Sequence, residues 1–176
     1  MTKFIICGQA PSRVGDGRPF TGPSGKRLAA LGGFRDYEHL AAEVTLMNLF
    51  GSPQARSQAI LCGRRSGKTV AQERAHAGDE FDTDLAAVEA FGVMLQWLKN
   101  KEERHIVMAC GSKVFLAFTG QKVTMYRGVR MADNIEIWYF PHPSGASHYW
   151  NSKENRLRAA NNFRKLLRRA GIVIAR

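Results

Sequence analysis

No apolar run in this 176-residue chain approaches the roughly 20 residues that a membrane-spanning helix needs, and the N-terminal MTKFIICGQ has neither the apolar core nor the cleavage site of a secretory signal. A soluble, cytoplasmic protein is expected. Cysteine is scarce: Cys7, Cys62 and Cys110 are odd in number and widely spaced, so neither a disulfide framework nor a metal knuckle follows. Cys7 and Cys110 each sit in a strand-like run, where a buried thiol is expected. Acidic residues are also few, 15 against 26 Lys and Arg, for a net charge of +11. Such an excess points to a polyanionic partner, because each phosphate neutralised releases counterions; a basic surface that binds nothing acidic is the alternative. Neither a repeat nor a domain boundary is evident, and residues 1–176 read as a single domain long enough to bury a core.

What is present is concentrated in the stretch from Cys7 to Leu31, CGQAPSRVGDGRPFTGPSGKRLAAL, with five glycines and three prolines ahead of the helix-like KRLAAL. A strand that ends in a Gly/Pro loop and turns into a helix leaves backbone N–H groups pointing outward, which suits a polar or anionic ligand. Sites in open α/β sheets lie at such ends. A second loop, FPHPSGASHYW from Phe140 to Trp150, follows another strand-like run, and the two can face each other across one cleft.

Apolar runs at Phe4–Cys7, Val44–Leu49, His105–Cys110 and Ile135–Phe140 predict four strands, and Ile172–Ala175 a possible short fifth. Lys26–Leu31 reads as helix stopped by Gly32-Gly33, and Glu38–Ala42 as a further helical piece. Leu85, Val88, Phe91, Leu95 and Leu98 recur at helical spacing within Asp84–Lys99. Gly111 closes the third strand, and Ser112 is a candidate cap for a helix over Lys113–Phe118. Lys153–Ala170 is the clearest helix, with Leu157, Ala160, Phe163, Leu167 and Ala170 along one face and Gly171 as its C-cap. Strands alternating with helices predict a mainly parallel sheet covered on both faces. Gly51–Asp82 is rich in Arg, Gln, Ser and Gly without apolar periodicity; it is either a basic excursion over a nucleic-acid surface or a solvated loop. Within it, GRRSGKT (Gly63–Thr69) is one residue short of a phosphate-binding P-loop and has no strand before it. The basic face of the last helix, Arg156, Arg158, Lys165, Arg168 and Arg169, reads either as solvated surface or as a track for a phosphate backbone.

GQAP, then GRPFTGPSGKRL, then an Asn closing the run TLMN, then HPSG, resembles in order the motifs of the uracil-DNA glycosylase superfamily, from about Lys3 to about Trp150. The likeness is to its family 4-like and mismatch-specific members. It implies a three-layer α/β sandwich with a central, mainly parallel four-stranded sheet, and a monofunctional DNA glycosylase that flips a uracil or modified pyrimidine and hydrolyses its glycosidic bond. The alternatives are a module of the same fold that binds DNA or a modified base with little or no catalysis and, less favoured, action on a free nucleotide or RNA. DNA is the implied partner of a monomer with no metal or organic cofactor. Some members hold an iron–sulfur cluster on four cysteines, which three cannot supply alone. In other members an Arg-Gly pair like Arg127-Gly128 precedes the last core strand.

The resemblance also assigns roles. Phe20, in the tight PFTG turn, stacks on the flipped base; the other reading is a Phe plugging the loop onto the core. Asn48 ends a strand with one donor and one acceptor for a pyrimidine edge, or else caps a neighbouring loop. His142, stiffened by Pro141 and Pro143, donates to the base oxygen as negative charge develops. Gly8 lines the base site. Ser24, Lys26, Ser144, Gly145, Ser147, His148 and Tyr149 approach the DNA backbone, with Ala146–Trp150 as the wedge that fills the vacated stack; Trp150 packing under the last helix is the alternative. Gln9 and Ala10 stand where a water-orienting carboxylate is usual, leaving Gln9 and the nearby Asp16 to hold the water.

Overall fold

The apolar strands are apolar on both sides, as a sheet covered on both faces requires. In the computed structural model, which describes residues 1–9, 18–50, 83–144 and 147–174, five strands form one sheet in the order β2-β1-β3-β5-β4. They are β1 (Thr2–Gly8), β2 (Thr45–Asn48), β3 (Arg104–Cys110), β4 (Gly128–Ala132) and β5 (Ile135–Phe140). The first four in spatial order run parallel, and β4 lies antiparallel along β5 at the edge. Around them pack α1 (Pro23–Gly32), α2 (Tyr37–Glu43), α3 (Thr83–Lys99), α4 (Ser112–Thr119) and α5 (Lys153–Arg169). Among the described residues no helix is long and apolar enough to cross a membrane.

Alternation along the strands divides the core in two. Phe4 and Ile6 of β1 and Ile106, Met108 and Cys110 of β3 face α1 and α5, where Phe163 packs 5.9 Å from Phe4 and 5.8 Å from Phe140. Ile5, Cys7, Val107 and Ala109 face the other way, toward α3 and α4. This is the three-layer sandwich expected from the sequence. Cys7 and Cys110 are fully buried, one on each side, and burial pushes both thiols far above their ordinary pKa.

Five details depart from the sequence reading. The sheet has five strands, not four: Gly128–Ala132, read only for the Arg-Gly pair at its start, pairs with β5 because Gly128 leaves room for Trp138, whose Cε2 would lie 2.4 Å from a Cβ there. No strand forms at 172–174, where the chain leaves α5 through Gly171 at φ +83. Ser112 is the first residue of α4 rather than its cap; Gly111, at φ +104, takes the cap position. Leu157 is 55% exposed, and the buried face of α5 is instead Ala159, Ala160, Phe163, Leu166 and Leu167. The helix over Asp84–Lys99 is present, but Val88, Phe91, Leu95 and Leu98 are exposed while Ala86 and Ala90 are buried. Small residues one turn apart let α3 pack closely against α4, and a helix with apolar residues on two faces does not announce which one is inward. Gly51–Asp82, with GRRSGKT and Cys62, lies outside the described residues.

At the edge opposite the strands' C-terminal ends, buried Glu136 joins three elements. It accepts from Arg104 of β3 at 2.6 Å, from Arg169 of α5 at 2.9 Å and from the Trp138 indole at 3.2 Å. Burial raises its pKa, but the hydrogen bonds from Arg104 and Trp138 and the charge of Arg169 outweigh burial, and the net shift is downward. A carboxylate with a depressed folded pKa stabilises fully above its unfolded value, near 4.3, and loses that contribution as pH falls through the lower folded value. Glu136→Gln is therefore expected to cost about 2 kcal/mol at pH 7. The gap in thermal midpoint from the parent protein should close on acidification below pH 4; a gap independent of pH would show that charge is not what Glu136 contributes.

Candidate active site

Because four strands are parallel, Gly8, Asn48, Gly111 and the loop after Phe140 all emerge at one edge of the sheet. Gly8 pairs with Asn48, and the pairing continues one step beyond the strands as Leu49 N–H donates to Gly8 O at 2.8 Å and Phe50 N–H to Gln9 O at 3.0 Å. A methyl group on Gly8 would lie 2.7 Å from Asn48 Oδ1 and 2.7 Å from Phe20 Cζ. The half-buried ring of Phe20 and the half-buried amide of Asn48 thus both rest on the bare α-carbon of Gly8.

Phe20 is held in an unusual backbone conformation, φ 59, of a kind that costs about 1–3 kcal/mol and persists only where its surroundings enforce it. Here they do. The Tyr37 hydroxyl donates to Pro19 O at 2.7 Å, and the Phe20 carbonyl lies against Gly25, where a Cβ would come within 2.2 Å of it. Arg18 lies over the Tyr37 ring at 5.3 Å and pairs with Glu38 at 3.0 Å. Phe20 also packs partly on the core, so the ring has one supported face. The helix that follows, α1, opens at Pro23 without a side-chain cap or an acidic residue in its first turn; Ser24 is half-buried there and Lys26 exposed.

Across the sheet, β5 lies two strands from β1, which separates their loops by about 10 Å. Pro141 and Pro143 are buried and His142 between them is half-buried. Its ring rests on Gly111, where a Cβ would lie 3.5 Å from Cδ2. The Ser144 N–H donates to His142 Nδ1 at 3.3 Å, so a neutral ring carries its proton on Nε2, the tautomer that donates. The Trp150 indole donates to His142 O at 2.7 Å, and Arg27 of α1 donates to Pro143 O at 2.6 Å while its guanidinium lies 5.4 Å from the Trp150 ring. The loop of His142 is therefore tied to α1 through Arg27.

Trp150 is 4% exposed, 6.0 Å from Phe140, and its carbonyl accepts from Arg156 at 2.6 Å. Of the two sequence alternatives it takes the packed one. In the turn His148–Asn151, His148 is exposed, while Tyr149 is half-buried with its hydroxyl against that of Tyr126 and donating to Asn155 O at 3.1 Å. Burial raises the Tyr149 pKa. Ser144 and Ser147 are half-buried beside this turn, and Gln9 is half-buried just past β1. Asp16 and Gly145 lie outside the described residues.

The edge thus brings together Gly8, Phe20, Asn48 and, across two strands, His142. Sequence reasoning passed over Arg27, Tyr37, Gly25 and Gly111. A glycine in the first turn of a helix, as at Gly25, carries an entropic cost and is a usable signal; the tie made by Arg27 spans 116 residues and has none. Among the described residues no group of three or more His, Cys, Asp or Glu comes together.

No curated protein matches the chain. The family model for the uracil DNA glycosylase superfamily matches residues 1–168, nearly the whole length. Motif order, a mostly parallel sheet and that match agree, and the chain belongs to the uracil-DNA glycosylase superfamily, whose members generally are DNA glycosylases.

Proposed function

We propose that this chain is a monofunctional DNA glycosylase that turns a uracil or modified pyrimidine out of DNA and hydrolyses its N-glycosidic bond to leave an abasic site. The observation that carries the reading is the convergence of Phe20 and Asn48 on Gly8, at the edge of the sheet that also holds His142. In this reading the flipped base stacks on the Phe20 ring and its edge pairs with the Asn48 amide, one donor and one acceptor. The bond to C1′ breaks with its electron pair moving onto the base, and His142 Nε2–H donates to the base oxygen where that charge gathers. Water then bonds to C1′ and its proton leaves to solvent or to the departing base. Gln9, with Asp16, places the water; Ser24, Lys26, Ser144, Gly145, Ser147, His148 and Tyr149 meet the backbone.

Incubation of the protein with labelled oligonucleotides, each holding one uracil or one modified pyrimidine, followed by alkali, tests this directly. Strand breakage at one defined base is expected; intact oligonucleotides throughout would overturn catalysis. Gln9 favours one other reading, a binding module of the same fold, because an amide positions water but takes no proton from it. The two diverge at Gln9→Glu. A glycosylase limited by water placement keeps or gains activity in that variant, measured as single-turnover base release, whereas a collapse would mean that the amide itself is required.

A further inference from the structure

Beside the turn His148–Asn151, a cavity of about 460 Å³ opens between the segment leading into β4 and α5. Its size is that of a small-molecule site. Tyr126 and Tyr149 form one wall, and Arg158, Asn161, Asn162 and Lys165 the other. These four are spaced i, i+3, i+4 and i+7, a continuous stripe on one helix face of the kind that normally carries apolar residues into a core. Here it carries two cations and two amides, beside an inward face of Ala159, Ala160, Phe163, Leu166 and Leu167.

Two observations favour a ligand over solvent at this stripe. Among the described residues Asn162 Nδ2 is buried without a hydrogen-bond partner, an arrangement that costs about 1–3 kcal/mol, and Asn162 itself lines the cavity. Among the described residues no carboxylate lines the cavity and none pairs with Lys165, while exposed Glu154 pairs with Arg158 at 2.5 Å. The walls therefore present donors and cations with aromatic faces, the complement of an anionic phosphate joined to a flat base.

Position identifies the source. Gly128 pairs with Trp138 near the end of β5, so Tyr126 stands at the same sheet edge as His142, and Tyr149 lies seven residues past His142 on the intervening loop. A DNA strand crossing that edge arrives here one or a few nucleotides from the extruded base. We propose that this cavity is a second nucleotide site, which binds an unextruded nucleotide of the DNA through its phosphate at Arg158 and Lys165 and its base edge at Asn161 and Asn162. The proposal rests on the reading of the chain as a DNA-binding glycosylase.

The test measures affinity for undamaged DNA, so it reads the site whether or not any base is ever released. The full-length protein and its Lys165→Glu and Asn162→Leu variants are titrated with fluorescein-labelled single-stranded and duplex oligonucleotides of one sequence across a salt series. Lys165→Glu is expected to weaken binding about tenfold and to lower the slope of log affinity against log salt by about one. Asn162→Leu, which removes the orphaned donor, is expected to weaken binding about fivefold with no fall in thermal midpoint. Equal losses on single strands and duplex assign the nucleotide to the strand that carries the target base; losses on duplex alone assign it to the complement. Unchanged affinity and salt slope in Lys165→Glu, or a lowered midpoint with unchanged affinity in Asn162→Leu, would overturn the proposal.

Discussion

Replacing His142 by alanine is expected to slow base release by about 10²–10³-fold, the usual effect of removing one donor aimed at developing charge. Affinity for DNA should change little if the imidazole acts, as proposed, on charge that appears only as the bond breaks. The variant should also fold. What the rest of the protein takes from this residue is chiefly its backbone: the carbonyl of residue 142 accepts from Trp150 and its neighbour Pro143 accepts from Arg27, and both bonds survive the substitution. Among the ring's contacts are Gly111 and the Ser144 N–H. Single-turnover rates with saturating protein separate chemistry from binding. A rate equal to that of the parent protein would remove His142 from the mechanism, and a rate loss matched by an equal loss of affinity would make it a binding residue.

The second large effect is expected at a residue with no side chain. In Gly8→Ala the new methyl would sit 2.7 Å from both Asn48 Oδ1 and Phe20 Cζ, well inside van der Waals contact, so the ring, the amide or both must move. Displacement of a positioning group by about 1 Å costs on the order of 10²-fold in rate, and kcat/KM is expected to fall by about that factor. Overpacking a tight site costs about 1–3 kcal/mol in stability, and the fold should tolerate it. A double-mutant cycle with Phe20→Ala isolates the cause. If the methyl acts by pushing the ring aside, Gly8→Ala should cost much less once the ring is gone; full additivity would show that Phe20 and Gly8 act separately.

The sequence by itself determined the layered α/β class, four of the five strands and the loops that gather at one edge of the sheet. It could do so because these properties are local: an apolar run of strand length, a Gly/Pro loop between strand and helix, and prolines on both sides of His142 are visible within a few residues. Motif order supplied the superfamily for the same reason. The tertiary structure decided what depends on contacts between distant residues. β4 is a strand because Gly128 accommodates Trp138, and neither residue marks it alone. α3 turns Ala86 and Ala90 inward although its larger apolar residues have helical spacing, since close packing against α4 favours the smaller face. Trp150 packs under α5 because its indole finds His142 O and its ring finds Phe140. Gly8 is needed bare only because two side chains, 12 and 40 residues further on, converge on it, and that convergence exists only once the strands have paired in register.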